Sequence, residues 1–453
     1  MSSTRDVYFV IGGSGFLGRH IVQQLLARGD IVSVFDIVQR YHDTPFYSGD
    51  MTDEDVVADA LRKSGTTCII HTASPPAGLP NPDIYYKVNV NGTKAVIAAA
   101  VATGVRKLVF TSSASVVFEG DDLADADERL PYAEKPLDAY NDSKAKAEAA
   151  VLKANDKNGL ITVALRPAGI FGPGDRQVMT GLFDVYDKGQ THFQIGDNTN
   201  LFDYTYVGNV AKAHLLAADK LTTPPPAPPI SQPPTSLSDI PPLTDAELNL
   251  VDSALPSINI TTGKHRVPTC EARPLGPYVT PPPNAREIEA AFKNPNTIDS
   301  RPVLRTKFDA LSEYGINHSK LENPSINPLQ VAGQAFFITN GEPCYFWDFA
   351  RSVWNELDKY FPDKRQPRSP FVFSRSVGLV LATCAEWFAW ITGRETQFTR
   401  FKVTFTCTER WHNIERARRV LGYEPDVGLK EGIEKMVASW YEEYKAGNHQ
   451  QKH

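Results

Sequence analysis

Val7-Tyr8-Phe9-Val10-Ile11-Gly12-Gly13-Ser14-Gly15-Phe16-Leu17-Gly18 is the stretch that decides the fold. Five apolar residues run into glycines at positions 12, 15 and 18, and Leu17–Arg28 reads as the helix that follows. Glycine lets such a turn close tightly and lets the backbone approach a pyrophosphate. The helix N-terminus then offers free N–H groups and the positive end of its dipole. Strand, glycine turn and helix in this order make a dinucleotide fingerprint, with Gly12, Gly15, Phe16, Leu17 and Gly18 as candidate cofactor contacts.

Outward from that stretch the same alternation continues. Strands are expected at Ile31–Phe35, Thr67–His71, Lys107–Ser112 and Ile161–Arg166, and helices at Asp53–Ser64, Ile84–Thr103 and Tyr140–Asn155. Strands separated by long helices make parallel βαβ units. The fold class expected is α/β: a Rossmann doubly wound parallel sheet with a smaller mixed C-terminal substrate-binding region. The pattern stops near Leu221. Residues 222–330 hold 20 of the 34 prolines, which fit neither helix interiors nor central strands. They read as a proline-rich, disordered insertion between residues 1–221, the NAD-binding core with part of the substrate region, and residues 331–453. That last region reads as substrate-binding and membrane-contacting. It opens with a strand at Val331–Thr339 and continues with helices at Cys344–Lys359, Val377–Thr392, Asn413–Gly422 and Leu429–Glu443.

Composition narrows the function. In 453 residues, 42% are hydrophobic, enough for a large core, and the net charge of −6 offers nucleic acid no general attraction. Cys68, Cys270, Cys344, Cys384 and Cys407 are scattered without metal-ligand spacing, so no metal is expected and the thiols read as reduced in a cytosol-facing protein. No apolar signal core precedes the first strand, which argues against secretion.

Asp36 closes the second strand, 18 residues after Gly18. A carboxylate there accepts from the adenosine ribose hydroxyls and repels a 2′-phosphate, so NAD is expected over NADP, with Arg40 near enough to weaken the preference. Asp50 is a candidate for the adenine edge. Tyr140 and Lys144 lie four residues apart and so share a helical face, where an ammonium would favour a phenolate. Lys107–Ser115 puts hydroxyls at the C-terminal end of a parallel strand, where doubly wound sheets bind ligands. Ser113 is the candidate to hold a substrate oxygen, with Ser112 and Ser115 as alternatives. His71 reads as a packed residue. Phe193, Phe202, Tyr204 and Tyr206 read as pocket lining or ordinary core, and Arg176 as one option for meeting a substrate carboxylate.

Together these residues resemble the extended short-chain dehydrogenase/reductase family. The resemblance implies that Tyr140 is the catalytic acid/base, Lys144 its activator and nicotinamide-ribose ligand, Ser113 the substrate-orienting serine and Asn89 the structural asparagine. It also implies cofactor contacts at Asp50, Met51, Ala73, Ser74 and Pro167. Within the family, Phe202–Val210 and Phe336–Pro343 are similar to the 3β-hydroxysteroid dehydrogenase group. That implies NAD-dependent oxidation of the 3β-hydroxyl of a 4α-carboxysterol to the 3-ketone, with loss of CO2, in sterol biosynthesis. A 3β-hydroxysteroid dehydrogenase without decarboxylation, a nucleotide-sugar epimerase and a non-catalytic dinucleotide sensor are the other readings. The resemblance further implies a homodimer and partners in sterol C-4 demethylation.

Val377–Thr392 is too short for a confident span and carries Glu386. Lys359, Lys364, Arg365, Arg368 and Arg375 precede it. A Trp-rich helix beside basic residues suits peripheral attachment to the cytosolic face of the endoplasmic reticulum membrane, whereas a core helix would fit a cytoplasmic enzyme.

Overall fold

Residues 5–222 and 329–447 are described in the computed structural model, except 367, 394, 395 and 397. Short pieces between them are also described: 235–236, 239–245, 247, 311, 313–322 and 327. Seven segments rich in β-branched and aromatic residues form one sheet: β1 (Val7–Ile11), β2 (Ile31–Asp36), β3 (Phe46–Ser48), β4 (Cys68–His71), β5 (Lys107–Thr111), β6 (Ile161–Pro167) and β7 (Ala335–Ile338). The order is β7-β6-β5-β4-β1-β2-β3, and every neighbouring pair is parallel. The chain steps from β1 outward to β3, then returns across β1 to β4. This reversal opens a crevice at the carboxyl ends of β1 and β4, the place where such sheets bind ligands.

The strands read as unbroken apolar runs because both faces are covered. On β1, Tyr8 and Val10 join the core under α1 (Phe16–Arg28). Phe9 and Ile11 join the opposite core, under α2 (Glu54–Ser64), α3 (Thr93–Thr103) and α4 (Ala139–Lys153). A further helix, α5 (Val207–Lys220), buries Val210, Ala211 and Ala217 on the α1 side. Full burial of the larger of these side chains, such as Phe9, Val10 and Ile11, contributes roughly 1.5–3 kcal/mol each.

A second, four-stranded sheet is assembled from distant pieces. Cys344–Tyr345, Leu201–Phe202, Arg410–His412 and Leu123–Ala126 lie in that order, the first pair antiparallel and the others parallel. Around it stands an aromatic core of Phe171, Tyr186, Tyr204, Phe349, Trp354 and Trp440. Much of this core sits on α6 (Phe346–Asp358) and a C-terminal helix, Leu429–Lys445.

Several elements differ from the sequence expectations. The helix expected at Ile84–Thr103 begins at Asp83 and carries a π-helical turn, Tyr86–Gly92, before α3. Gly92 lets that turn pack closely on Met51: a Cβ would come within 2.6 Å of its Cε, and the methionine would have to move. The strand expected at Val331–Thr339 shrinks to β7, and it joins the main sheet beside β6 instead of the C-terminal region. Most of 222–330 lies outside the described residues, but Glu313–Glu322 within it is helical, with Ile316 buried beside Leu243 and Leu329.

The apolar C-terminal helix α7 (Arg375–Thr392) is not a core helix. Only Gly378 and Ala382 are buried, whereas Trp390 is 82% and Ile391 69% exposed. Its inner face packs on Ile195 and Val403 through Gly378, where a Cβ would stand a tight 3.1 Å from each. No helix among the described residues is long and apolar enough to cross a membrane. The basic residues ahead of α7 are less available than the sequence suggests. Lys359 pairs with Glu356, Lys364 with Asp187 and Arg365 with Asp358.

Candidate active site

A cleft of about 1130 Å³ runs along the carboxyl ends of the strands. At one end Gly12 takes φ +83°, and a Cβ there would stand 2.7 Å from the Ala73 nitrogen. A Cβ on Gly18 would stand 2.1 Å from the Gly12 carbonyl oxygen. Only glycine lets the turn and α1 approach this closely. Gly15, the N-cap of α1, supplies no side-chain cap, so the helix presents its first amides to the cleft together with Phe16 and Leu17.

Asp36 lies at the tip of β2. Its carboxylate accepts from the Ser14 amide at 3.0 Å and the Ile37 amide at 2.8 Å. Arg40 donates to the Ser14 carbonyl at 3.3 Å, so it stands over the same corner. Asp50 also lines the cleft and caps its own turn, accepting from the Thr52 amide and hydroxyl at 2.9 and 2.8 Å. Those bonds hold its carboxyl below the usual range. Met51, Ala73, Ser74 and Pro167 all line the cleft. Ser74 donates to the Pro75 carbonyl at 3.1 Å.

Tyr140 and Lys144 rise from the first turns of α4, which Asp138 caps by accepting from the Asn141 amide at 2.8 Å. The Tyr140 ring is partly open to the cleft and meets the Tyr85 ring edge-on at 5.7 Å. Burial pushes its phenol up to about 12, opposed by the hydrogen bond from Ser113 and reinforced by Asp138. Lys144 is buried, and its ammonium donates to the Thr111 carbonyl at 2.9 Å and stands 5.1 Å from the centre of the Phe110 ring. Burial pushes it down to about 7, with Glu148 pulling upward. The lowering of the tyrosine by the lysine that the spacing suggested is outweighed by burial, which raises the phenol. Burial moves the two in opposite directions, raising the phenol and lowering the ammonium, because each charged form has left water.

Ser113 ends the turn after β5. Its hydroxyl shares a hydrogen bond of 2.8 Å with Ser115 and accepts from the Ser115 amide at 3.2 Å. Ser112 is buried, and its hydroxyl has no partner. Of the three serines, Ser113 is the one whose hydroxyl draws the Tyr140 phenol downward against burial. Asn89 stays out of the cleft, in the π-helical turn. Its amide donates to the Ser143 hydroxyl at 3.0 Å, which donates to the Tyr140 carbonyl at 2.9 Å. It thus fixes the backbone of the tyrosine from behind.

Some participants escaped the sequence reading. Thr111 holds Lys144 through its carbonyl, while its hydroxyl meets His214 Nε2 at 2.7 Å. His214 Nδ1 faces the Val210 carbonyl at 2.8 Å, so that nitrogen carries the proton and Nε2 accepts. Burial lowers His214 to about 4, keeping it neutral. His71 is a packed residue as expected, fully buried with Nε2 3.1 Å from the Thr93 hydroxyl and lowered to about 3 by burial. Phe202 lines the cleft, Tyr204 and Tyr206 belong to the aromatic core, and Phe193 is exposed. Arg176 is exposed at the cleft rim. Among the described residues no cluster of His, Cys, Asp or Glu could hold a metal. Cys68, Cys344, Cys384 and Cys407 are free thiols, and Cys270 lies outside the described residues.

A sequence model of the 3-beta hydroxysteroid dehydrogenase/isomerase family matches residues 9–252. The chain belongs to that family. Among its relatives, the decarboxylating sterol-4-alpha-carboxylate 3-dehydrogenase of Saccharomyces cerevisiae is 36% identical over 97% of this chain and 98% of its own length. The decarboxylating sterol-4-alpha-carboxylate 3-dehydrogenase of Mus musculus is 32% identical over 95% and 90%. In fold, this member of the 3β-hydroxysteroid dehydrogenase/isomerase family is similar to the UDP-glucose 4-epimerase of Thermus thermophilus, solved as a complex with NAD. The TM-score is 0.53 at 20% identity, covering 96% of this chain and 98% of that one.

Proposed function

We propose that the chain oxidises the 3β-hydroxyl of a 4α-carboxysterol to the 3-ketone with NAD⁺ as acceptor, and that the 4-carboxylate leaves as CO2. One observation carries this reading. Tyr140, Ser113 and Lys144 stand together in the cleft that also holds the glycine turn, in a chain nearly as long as relatives that bear this activity in their names. The chain's own residues fit the dinucleotide: glycines leave room for a pyrophosphate, α1 points its amides at it, and Asp36 offers a ribose its two oxygens. When bound, the dinucleotide accepts the C3 hydrogen as hydride and contributes a positively charged ring.

Tyr140 takes the hydroxyl proton while Ser113 holds the same oxygen from the other side. Lys144 supplies positive charge one helical turn away, which favours the phenolate that the ligand-free pocket disfavours. Thr111 and His214 keep the lysine in place from below. The ketone formed is β to the carboxylate. The electron pair of the bond to the carboxyl carbon moves into the ketone as CO2 departs, and the resulting enolate oxygen takes back the proton held by Tyr140 to give the enol. The hydroxyls of Tyr140 and Ser113 stand where charge on that oxygen develops.

Location belongs to the same reading. The exposed face of α7, with Trp387, Phe388, Trp390 and Ile391, supports peripheral seating on the endoplasmic reticulum membrane, where a sterol substrate is dissolved. Apolar contact dominates, because three of the five basic residues already have carboxylate partners. A homodimer and partners in sterol C-4 demethylation go with this reading and are checked by gel filtration and crosslinking. The test of the reaction is to supply NAD⁺ with a 4α-carboxy-3β-hydroxysterol and count NADH and CO2, which should appear in equal amounts. NADH without CO2 means a dehydrogenase that does not decarboxylate. Turnover of UDP-glucose in place of the sterol sinks the proposal.

A further inference from the structure

A buried cation to which no described residue offers a counter-charge lies in the cleft. Arg410 is on the strand Arg410–His412 of the four-stranded sheet and is only 8% exposed. Its guanidinium carbon stands 3.9 Å from the centre of the Phe405 ring, 4.3 Å from Phe118 and 4.7 Å from Phe202. Its Nε is buried with no hydrogen-bond partner. Among the described residues no carboxylate pairs with it. Other buried arginines are treated differently. Arg166 meets Glu148 at 2.6 Å, and Arg418 meets Glu415 at 3.1 Å. The neighbouring acid Asp203 is taken up elsewhere, accepting from the His412 main chain and ring at 2.7 and 3.0 Å.

Aromatic faces attract a guanidinium but do not satisfy its N–H groups. Burying such a charge unpaired opposes folding, so its persistence calls for a role outside folding. Burial lowers Arg410 to about 9, which leaves it charged at neutral pH. The planar fork of donors matches a carboxylate. Its place fits too. Phe118 closes the 3₁₀ turn Ala114–Val117, which starts at Ser113. Arg410, Phe118, Ser113 and Tyr140 all line one cleft.

We propose that Arg410 is the carboxylate-binding residue of this cleft: it pairs with the acid on the carbon next to the reacting hydroxyl and thereby selects carboxylated over neutral 3β-hydroxysterols. The identity of the acid rests on the substrate proposed above. Arg176, the arginine first suggested by the sequence for this task, stands in the open at the rim, where water screens it.

The experiment compares the full chain with Arg410→Met and Arg410→Lys. Each is given NAD⁺ and either a 4α-carboxy-3β-hydroxysterol or its neutral 4α-hydroxymethyl counterpart. For Arg410→Met, kcat/KM with the acid should fall at least 100-fold, while that with the neutral sterol stays within about threefold. Arg410→Lys should recover part of the loss. Methionine fills a space walled by three phenylalanines, so melting temperature should hold or rise. An unchanged acid-to-neutral ratio in Arg410→Met, or an equal loss on both sterols, overturns the proposal. Should Arg410→Met fail to fold, the wild-type chain decides by thermal-shift titration with the same two sterols: tighter binding of the acid by 100-fold supports the pairing, and equal binding overturns it. If wild-type protein oxidises neither sterol, the substrate reading fails separately, and binding of the acid to wild type against Arg410→Met still decides the role of Arg410.

Discussion

Replacing Lys144 with methionine should stabilise the ligand-free chain while destroying its activity. The ammonium is 3% exposed and bonds to the Thr111 carbonyl at 2.9 Å. Burial brings its pKa from 10.5 down to about 7. An unfolded lysine holds its proton up to about pH 10.4. Between roughly pH 7 and pH 10.4 the unfolded chain therefore binds more protons than the folded one, and stability rises with pH across that window. Below it, the folded chain bears the full cost of a desolvated charge, about 5 kcal/mol for a depression of this size. Methionine removes that cost but leaves the Thr111 carbonyl unpaired, which costs about 1–3 kcal/mol. The variant should thus be more stable by about 2–4 kcal/mol near pH 6. Wild type should recover about 2–3 kcal/mol of the difference by about pH 9. Urea unfolding of both proteins at the two pH values measures this, and pairing them cancels the other titrations. A wild type as stable as Lys144→Met near pH 6, or a gap that stays constant to pH 9, refutes the view of Lys144 as a positive charge held out of water at a cost to folding.

Three further outcomes follow from the geometry. Gly18→Ala puts a Cβ within 2.1 Å of the Gly12 oxygen, so the turn must open; NAD⁺ affinity by thermal shift should fall at least tenfold. Asp36→Ala removes the carboxylate that repels a 2′-phosphate while keeping Arg40 nearby, so the preference for NAD⁺ over NADP⁺ should drop at least tenfold in steady-state assays. Trp387→Glu with Trp390→Glu should lower partitioning onto phosphatidylcholine vesicles at least tenfold. Because the contact is apolar, raising salt should not release the wild-type protein.

The dinucleotide half of the molecule was legible in the sequence because its signals are local. A strand, three glycines and a helix sit within a few residues of one another, and the strand–helix alternation needs no knowledge of distant partners. The boundaries of β1, α1 and β5 fell within one residue of expectation for that reason. The substrate half was not legible. Its sheet is built from two-, three- and four-residue strands taken from positions 123, 201, 344 and 410, too short to show a period. Nothing local in the sequence marks Arg410, because Phe118, Phe202 and Phe405 come around it from three separate segments. The basic run before α7 misled for the converse reason: Asp187, which neutralises Lys364, is far away in the chain. Tyr140 and Lys144 were found by spacing, but the direction of their proton affinities came from burial, which spacing does not report.

The central claim is that Tyr140 removes a proton as hydride leaves C3 of a sterol held in this cleft. It is tested most directly by a 4α-carboxy-3β-hydroxysterol deuterated at C3, followed in a single turnover with NAD⁺. The account predicts that deuterium appears in the reduced nicotinamide, that the step slows by a primary isotope effect, and that Tyr140→Phe loses about 10³-fold or more in rate. Reduced nicotinamide without deuterium, or a Tyr140→Phe variant as fast as wild type, would contradict it.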